Sequence, residues 1–262
     1  MRSRLALIGG KLGHSFSPII HNYIFKKMGL DATYELMECK EEEIPHILDM
    51  VRSGELKAIN VTIPYKETVM PYLDEISEEA LKIHAVNAIT MKDGKLIGYN
   101  TDYFGFLNEV KHFGHDLTNR NCFILGCGGA AHAMAQALLD LGCNLTMAIR
   151  RADKELAKWF PRVVYLDELD KMDVDVIVNA TPVGMYPNCD NMPVSVSVAE
   201  RCNLVFDAIY NPKITKLMSY AHEAHNGLYM LILQAIKADE LFFDMKIDAV
   251  NEIVEFVEKE VL

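Results

Sequence analysis

The sequence lacks several features that would mark particular classes of protein. No apolar run approaches the roughly 18 residues of a membrane-spanning helix, and the N-terminus leads directly into a candidate strand rather than a signal peptide. Basic residues are scarce, with 26 Lys and Arg against 37 Asp and Glu, and the net charge of −11 argues against a nucleic-acid partner. Internal repeats and low-complexity segments are also missing. We therefore expect a globular protein of one large or two ordinary domains, with no membrane or nucleic-acid partner.

Metal-binding and redox motifs are missing as well. The six cysteines show no C-x-x-C spacing, so we expect small buried residues in a reducing compartment, which favours the cytoplasm. Two histidine pairs have i, i+3 spacing, His112/His115 and His222/His225, but neither has a third ligand or an H-E-x-x-H motif. We interpret them as solvated histidines at helix ends and predict no metal site.

A glycine-rich turn is the most informative feature that is present. Cys122–Leu125 is a short apolar run typical of a buried parallel strand, and a helical pattern then continues to Gly142. Between them lie Gly126, Gly128 and Gly129. Glycine is needed where a strand turns sharply into a helix and where the backbone touches a pyrophosphate, which the free N–H groups of the helix N-terminus can bind. The alternative is a flavodoxin-like packing unit without a ligand.

The end of the next predicted strand indicates which dinucleotide would bind. Strand Leu145–Ile149 is followed by Arg150 and Arg151, where a carboxylate would bind an adenosine ribose diol. Paired guanidinium groups suit a 2′-phosphate, so NADP is favoured over NAD. A solvated arginine pair is the alternative.

Two hydroxyl groups precede a predicted helix near the N-terminus. Pro18 is expected to open this helix, with Ser17 at its N-cap and Ser15 just before it. The two hydroxyls could bind a carboxylate, although Ser17 could also simply cap the helix.

Residues 58–66 are the most unusual stretch of the first half. As a strand, they would place Asn60 and Thr62 on one face. Pro64 is predicted to end this strand and begin a helix over 66–73. That helix would place Lys66 in its first turn, where a cation is unfavourable, and this cost hints at another role for Lys66.

The remaining pattern predicts alternating strands and helices. Asp93-Gly94 predicts a hairpin turn, and Asp102 is a good N-cap for a helix over 103–113. Residues 114–120 form a polar linker. Further strands are predicted over 5–8, 33–37, 175–179 and 204–207, and further helices over 18–28, 41–51, 77–84, 213–225, 231–243 and 247–262.

Several segments of the sequence are together characteristic of one protein family. In chain order they are Ser15-Phe16-Ser17-Pro18, Asn60-Val61-Thr62-Ile63-Pro64-Tyr65-Lys66, Asn100-Thr101-Asp102, Gly126-Cys127-Gly128-Gly129-Ala130, Asn179-Ala180-Thr181-Pro182-Val183-Gly184-Met185, Asp207-Ala208-Ile209-Tyr210-Asn211-Pro212 and Gly227-Leu228-Tyr229-Met230 with Gln234. The chain resembles the shikimate dehydrogenase family from end to end. The glycine turn is shared with many dehydrogenases, whereas the second and third segments are specific to this family.

The resemblance implies a two-domain α/β fold with an active-site cleft between the domains. An N-terminal mixed α/β substrate domain would comprise residues 1–103, with the C-terminal helices 238–262 packing back on it. A Rossmann-like NADP-binding domain would comprise residues 104–237. The implied reaction is the reversible NADPH-dependent reduction of 3-dehydroshikimate to shikimate in aromatic amino acid (chorismate) biosynthesis, by a monomer or homodimer.

The resemblance also implies roles for individual residues. Lys66 and Asp102 would be the catalytic pair, with Lys66 as the proton donor. Shikimate would be bound by Ser15, Ser17, Asn60, Thr62, Asn87, Tyr210 and Gln234. NADP(H) would be bound by Glu78, Gly126, Cys127, Gly128, Gly129, Ala130, Arg150, Arg151, Thr181, Met185, Ala208, Gly227 and Met230.

Two departures from the family pattern leave alternatives open. Ile149 and Arg151 stand where NADP-binding members usually have Asn and Thr, and Pro182 replaces a Ser. Use of both NAD and NADP is therefore an alternative. Use of quinate as well as shikimate is another, because quinate differs by one hydroxyl, which is hard to exclude from sequence. A second alternative is a non-catalytic NADPH-binding regulatory protein on the same fold.

Overall fold

The chain folds into two compact units. The structure, a computed structural model, describes residues 2–13, 15–153, 160 and 162–260. One unit combines Met1–Gly105 with Ile232–Val261 and is called the first unit below. Phe106–Leu231 forms the second unit.

Strands and helices alternate along most of the chain. In order they are β1 (Ser3–Gly9), α1 (Ser17–Lys27), β2 (Ala32–Glu38), α2 (Ile44–Ser53), β3 (Ala58–Val61), β4 (Glu75–Ile76), α3 (Glu78–Ile83), β5 (Ala88–Lys92), β6 (Lys95–Tyr99), α4 (Thr101–His112), β7 (Asn121–Leu125), α5 (Gly129–Asp140), β8 (Asn144–Ile149), β9 (Val163–Tyr165), β10 (Val176–Asn179), α6 (Val196–Arg201), β11 (Leu204–Asp207), β12 (Glu223–Asn226), α7 (Leu228–Phe243) and α8 (Val250–Glu260). Within the described residues, none of the helices is both long and apolar enough to cross a membrane.

The sheet of the first unit is mixed and covered on both faces. Its strand order is β2-β1-β3-β5-β6-β4, in which β1, β2 and β3 are parallel and β5 runs antiparallel to both its neighbours. Alternate residues of β1 point to opposite faces: Ile8 packs in the cluster that contains α2, and Leu7 packs with Phe25, Ala238 and Phe242. The C-terminal part of α7 therefore completes one side of this core.

The sheet of the second unit is entirely parallel. Its order is β9-β8-β7-β10-β11-β12, which is the 3-2-1-4-5-6 order of a doubly wound dinucleotide-binding sheet. Its core joins Phe123 and Leu125 of β7 to Ile177 of β10 and Val205 of β11. In such a sheet ligands bind beyond the carboxyl ends of the strands, next to the point where the strand order reverses.

Local sequence signals explain most of the element ends. Gly29 ends α1 with φ of +66°, and Asp93 and Gly94, with φ of 51° and 78°, form the hairpin turn between β5 and β6. All six cysteines are unpaired; four of them are buried, as expected, whereas Cys127 and Cys189 are partly exposed.

Two predicted helices are wrong. Residues 64–69 form turns followed by a short 3₁₀ helix at Met70–Tyr72. The Lys66 carbonyl, which an α-helix would commit to the N–H of residue 70, accepts a hydrogen bond from Val86 N at 2.8 Å. Residues 213–225 are also not helical, because the segment contains a 3₁₀ helix at Met218–Tyr220 and then strand β12, which pairs with β11.

Candidate active site

Several polar residues of the first unit lie at the carboxyl ends of its parallel strands. The carboxyl ends of β1 and β3 are adjacent, since Ile8 pairs with Val61. The segment with Ser15 and Ser17 follows β1, and Thr62 follows β3 with its N–H donating to Ile8 O at 2.9 Å. Ser15, Ser17 and Thr62 are all partly exposed. The carboxyl ends of β1 and β3 can therefore present hydroxyl groups to a ligand.

The two serines interact with each other. Ser15 Oγ donates to Ser17 Oγ at 3.1 Å and accepts from Ser17 N at 3.3 Å. Ser17 is the first residue of α1 and its side chain makes no cap hydrogen bond; Phe16 occupies the N-cap position. The expectation that Ser17 caps the helix is therefore wrong, because its hydroxyl faces Ser15 instead.

Lys66 and Asp102 form the closest ion pair of the site. Lys66 Nζ lies 2.6 Å from Asp102 Oδ2, and the two side chains are only 17% and 14% exposed. An ion pair this sheltered keeps an ammonium proton next to the site with little competition from water. Such a group can donate a proton to an oxygen and stabilise negative charge that develops on it.

Asp102 is available for this pairing because another residue caps its helix. Asn100 Oδ1 accepts a hydrogen bond from Tyr103 N at 3.2 Å, which is the geometry of an N-cap. The Asn100 amide also donates to Ala85 O at 3.0 Å. The prediction that Asp102 serves as the N-cap is wrong, since α4 begins one residue before it at Thr101.

A buried hydrogen-bonded network fixes the amides beside the ion pair. Asn60 Nδ2 donates to Asn87 O at 3.0 Å, and Asn60 Oδ1 accepts from the Tyr34 hydroxyl at 2.8 Å. Asn87 Oδ1 accepts from Thr101 N at 2.7 Å, and the Thr101 hydroxyl lies 3.3 Å from Gln234 Oε1. Since all these side chains except Gln234 are buried, their amide orientations are set by the network.

Tyr34 and Thr101 are members of this site that sequence reasoning missed as functional residues. Tyr34 stacks on His21, with ring centroids 4.0 Å apart, and His21 Nδ1 lies 2.8 Å from Asp239 Oδ1 of α7. Burial raises the pKa of both Tyr34 and Asp239. The N-T-D motif draws attention to Thr101, but the local sequence around Tyr34 carries no comparable signal.

The glycine turn of the second unit has the geometry of an anion site. Gly126 has φ of +102°, and a Cβ on it would lie 3.0 Å from Thr181 Cγ2. Gly128 stands at the N-cap of α5 with open space around it, and no side chain caps this helix. The N–H groups of the first turn, which contains Gly129 and Ala130, are thus left for a ligand. Cys127 lies between the glycines, and burial raises the pKa of its thiol.

Both arginines after β8 already contact carboxylates. Arg150 Nε lies 2.7 Å from Asp153 Oδ2, and Arg151 Nη2 lies 2.9 Å from Asp167 Oδ2. Arg151 also lies over the Tyr165 ring at 4.2 Å. Both guanidinium groups remain largely exposed. Guanidinium groups can bind phosphate, but Nε and Nη2 of Arg150 donate to Asp153 in this structure.

A second buried network orders the loops after β10 and β11. Asp207 accepts hydrogen bonds from Asn179 Nδ2 at 2.9 Å, Ile209 N at 3.1 Å and Thr215 Oγ1 at 2.7 Å. Burial raises the pKa of Asp207 to about 6. Asn179 Oδ1 in turn accepts from Thr181 N at 3.1 Å and Thr181 Oγ1 at 2.7 Å. The candidate cofactor residue Thr181 is therefore positioned, through Asn179, by a carboxylate on the neighbouring strand.

The remaining candidate residues are divided between the units. Ala208 and Gly227 are in tight contact, since a Cβ on Gly227 would lie 2.2 Å from Ala208 O. Met230 is buried, Met185 is 46% exposed, and Tyr210 is half-buried with its pKa raised by burial. In the first unit, Glu78 is exposed at the start of α3 and pairs with Lys82 at 2.8 Å.

The histidines form a different pair from the one expected. His115 Nε2 lies 2.8 Å from His225 Nε2, and Glu223 Oε1 lies 3.4 Å from both. Side-chain exposure is only 13% for His115 and 14% for His225. The interpretation of these two residues as solvated, without a third ligand nearby, is wrong, because β12 brings His225 and Glu223 to His115. His112 and His222 are exposed.

The parallel sheet with its glycine turn places the second unit among the dinucleotide-binding α/β proteins. Comparisons with known proteins identify the family. Residues 7–89 match the shikimate dehydrogenase substrate binding domain. The shikimate dehydrogenase (NADP(+)) of Clostridium beijerinckii is 38% identical over 252 residues, covering 92% of each chain.

Solved structures agree with this result. A chorismate mutase/shikimate 5-dehydrogenase fusion protein from Clostridium acetobutylicum superposes with a TM-score of 0.95 at 39% identity, covering 100% of this chain and 99% of that one. Shikimate 5-dehydrogenase from Thermus thermophilus, in complex with NADP(H) and shikimate, gives 0.86 at 31% identity, covering 98% and 99%. The chain belongs to the shikimate dehydrogenase family, which confirms the resemblance and the fold class predicted from the sequence.

Proposed function

We propose that this protein is an oxidoreductase that catalyses the reversible NADPH-dependent reduction of 3-dehydroshikimate to shikimate, a step of aromatic amino acid biosynthesis. The observation that carries the proposal is the sheltered Lys66–Asp102 pair, 2.6 Å apart, in a chain of this family. A member that had only kept the fold as a binding protein would have no need of this pair.

Lys66 is the proton donor in this proposal. Reduction of a ketone needs hydride at carbon and a proton at the developing alkoxide, and the nicotinamide of NADPH supplies the hydride when bound. The Lys66 ammonium donates the proton and stabilises the alkoxide, while Asp102 orients the amine. In the reverse direction neutral Lys66 accepts the alcohol proton. Asp102 then stabilises the ammonium that forms.

The substrate contacts are assigned to the first unit and to Tyr210. The hydroxyls of Ser15 and Ser17 bind the carboxylate of shikimate in this proposal. The ring hydroxyls are bound by side chains with both donor and acceptor groups, namely Asn60, Thr62, Asn87, Tyr210 and Gln234. The buried network through Tyr34 and Thr101 supports this assignment, because preorganised amides lose little entropy on binding.

The cofactor contacts are assigned to the second unit, with Glu78 as the exception. Gly126, Cys127, Gly128, Gly129 and Ala130 bind the pyrophosphate at the uncapped N-terminus of α5. Arg150 and Arg151 bind the 2′-phosphate of NADP(H). The nicotinamide side is assigned to Thr181, Met185, Ala208, Gly227 and Met230, with Glu78 facing it. The proposed substrate domain is 1–103 with 238–262, and the proposed NADP-binding domain is 104–237.

The decisive experiment is steady-state oxidation of shikimate and of quinate, each with NADP⁺ and with NAD⁺. We expect the highest kcat/KM with shikimate and NADP⁺. Comparable rates with quinate or NAD⁺ would indicate the dual-specificity alternative. NADPH binding without turnover of any pair would contradict the proposal and favour a regulatory role.

The proposal also covers the cellular compartment and the oligomeric state of the enzyme. Its six unpaired cysteines suit a reducing compartment, and we place the protein in the cytoplasm. A monomer or a homodimer is proposed, which sedimentation analysis of the purified protein would distinguish.

A further inference from the structure

Three ligand-type atoms converge in the second unit, on residues that no assignment above uses. His115 follows α4, and Glu223 and His225 belong to β12, the strand at one edge of the parallel sheet. Residues two apart on a strand share a face, so Glu223 and His225 both point to the side where His115 lies. Their ligand atoms all lie within 4.8 Å of one another.

The two distances from Glu223 fit a tetrahedral metal better than they fit hydrogen bonds, whereas the distance between His115 and His225 is that of a hydrogen bond. Bonds of about 2.0–2.2 Å to one tetrahedral ion place the ligand atoms about 3.3–3.5 Å apart. Glu223 Oε1 lies 3.4 Å from each Nε2, and the two Nε2 atoms are 2.8 Å apart. One proton can join the two nitrogens, but 3.4 Å is too long for a good N–H···O bond to either ring.

The two imidazole rings are also held in place by aromatic neighbours. His225 stacks on Phe113, with centroids 3.8 Å apart and an interplanar angle of 16°. His115 meets the edge of Phe206 at 5.6 Å and 89°. Because the orientation of both rings is already fixed, metal binding would cost little side-chain entropy.

We propose that His115, Glu223 and His225 form a binding site for a divalent transition-metal ion of the zinc type. Imidazole and carboxylate ligands without thiolate suit Zn²⁺, Co²⁺ or Ni²⁺ rather than Mg²⁺ or Ca²⁺. Glu223 is 57% exposed, so the fourth position opens to solvent and holds water. The ion links the segment after α4 to the edge strand and stabilises the second unit.

Co²⁺ titration of the metal-free full-length protein tests this proposal, because tetrahedral Co²⁺ has a characteristic visible spectrum. We expect one ion per chain, displaced by Zn²⁺, and a higher Tm in its presence by mass action. A thiolate charge-transfer band would place the ion on the cysteines and overturn the assignment.

Variants identify the ligands. His115→Gln and His225→Gln should abolish saturable binding. Glu223→Gln should weaken it by more than the roughly 10- to 100-fold that loss of an outer-shell partner costs. His222→Gln, an exposed histidine beside the cluster, is the matched control and should bind like the wild type.

Far-UV circular dichroism spectra that match the wild type show that each variant is folded. Unchanged Co²⁺ binding by His115→Gln or His225→Gln, or no binding by the wild type at millimolar Co²⁺, would overturn the proposal. Both results are independent of the proposed catalytic activity.

Discussion

Lys66 is held in place by its backbone and by one carboxylate. Its carbonyl accepts from Val86 N, and its ammonium group contacts Asp102. Lys66→Ala removes the proposed proton donor, and we expect kcat/KM for shikimate to fall by about 10²- to 10⁴-fold or more. NADPH affinity, measured by fluorescence titration, should stay unchanged, since cofactor binding is assigned to the second unit.

Lys95→Ala is the matched control for that experiment. Lys95 also pairs with a carboxylate, Glu75, but this pair is about half exposed at the start of β6. An exposed ion pair adds little to stability, so the variant should fold and turn over normally. Near-normal turnover by Lys66→Ala would exclude Lys66 from the mechanism.

The raised pKa of Asp207 predicts that the stability of the fold depends on pH. Its pKa is raised from 3.8 to about 6 by burial. The folded state therefore holds this proton more tightly than the unfolded chain, and the free energy of unfolding falls as pH rises from about 4 to above 6. Two pKa units correspond to about 3 kcal/mol.

Asp207→Asn removes this titration. Its Oδ1 can still accept from Asn179 and Ile209, and the Thr215 hydroxyl can rotate to accept from the new amide. Urea unfolding at a series of pH values should show a smaller loss of stability between pH 4 and 6.5 in the variant. Parallel pH curves for the two proteins would contradict the assignment.

At the scale of elements, the strands of high apolar content were predictable and the short polar ones were not. Cys122–Leu125 and Leu204–Asp207 are largely apolar runs, and the structure places strands at both. Strand β12 reads Glu-Ala-His-Asn, a sequence with little intrinsic strand preference. It forms because β11 supplies a parallel partner, which no local pattern could reveal.

In the candidate site, too, residues in local motifs could be predicted, whereas contacts between distant segments could not. The family resemblance implied roles for Lys66, Asp102 and the amides, because most of these residues lie in segments that are characteristic of the family. The pairing of His115 with His225 spans 110 residues of sequence. The helix predicted over 66–73 failed for a similar reason, since the Lys66 carbonyl bonds to Val86 rather than within its own segment.

The junction between β12 and α7 depends on one glycine. A Cβ on Gly227 would overlap the Ala208 carbonyl, so Gly227→Ala must displace the backbone. We expect a loss of about 1–3 kcal/mol in the free energy of unfolding, measured by urea denaturation. Gly13→Ala, where a Cβ meets open space, is the control and should change stability by less than about 0.5 kcal/mol. Equal stability of the two variants would contradict this steric role.

For the whole molecule, the assignment of ligands to units predicts two separate footprints in hydrogen exchange. Bound ligand lowers the population of locally open states. NADP⁺ alone should protect residues 126–130 and 150–151, whereas shikimate alone should protect 58–66 and 100–102. Protection of only the first unit by NADP⁺ would contradict the assignment.

The first unit is built from both ends of the chain, with Ala238 and Phe242 of α7 in its core and Tyr23 of α1 stacked on Phe256 of α8. During synthesis on the ribosome, its N-terminal strands emerge first but lack these partners. The second unit is encoded by one continuous stretch and can fold as soon as that stretch has emerged. Although its N-terminal strands precede the second unit in the chain, the first unit is therefore completed after it, and a nascent chain that stops before α8 leaves the Lys66–Asp102 pair on an unfinished core.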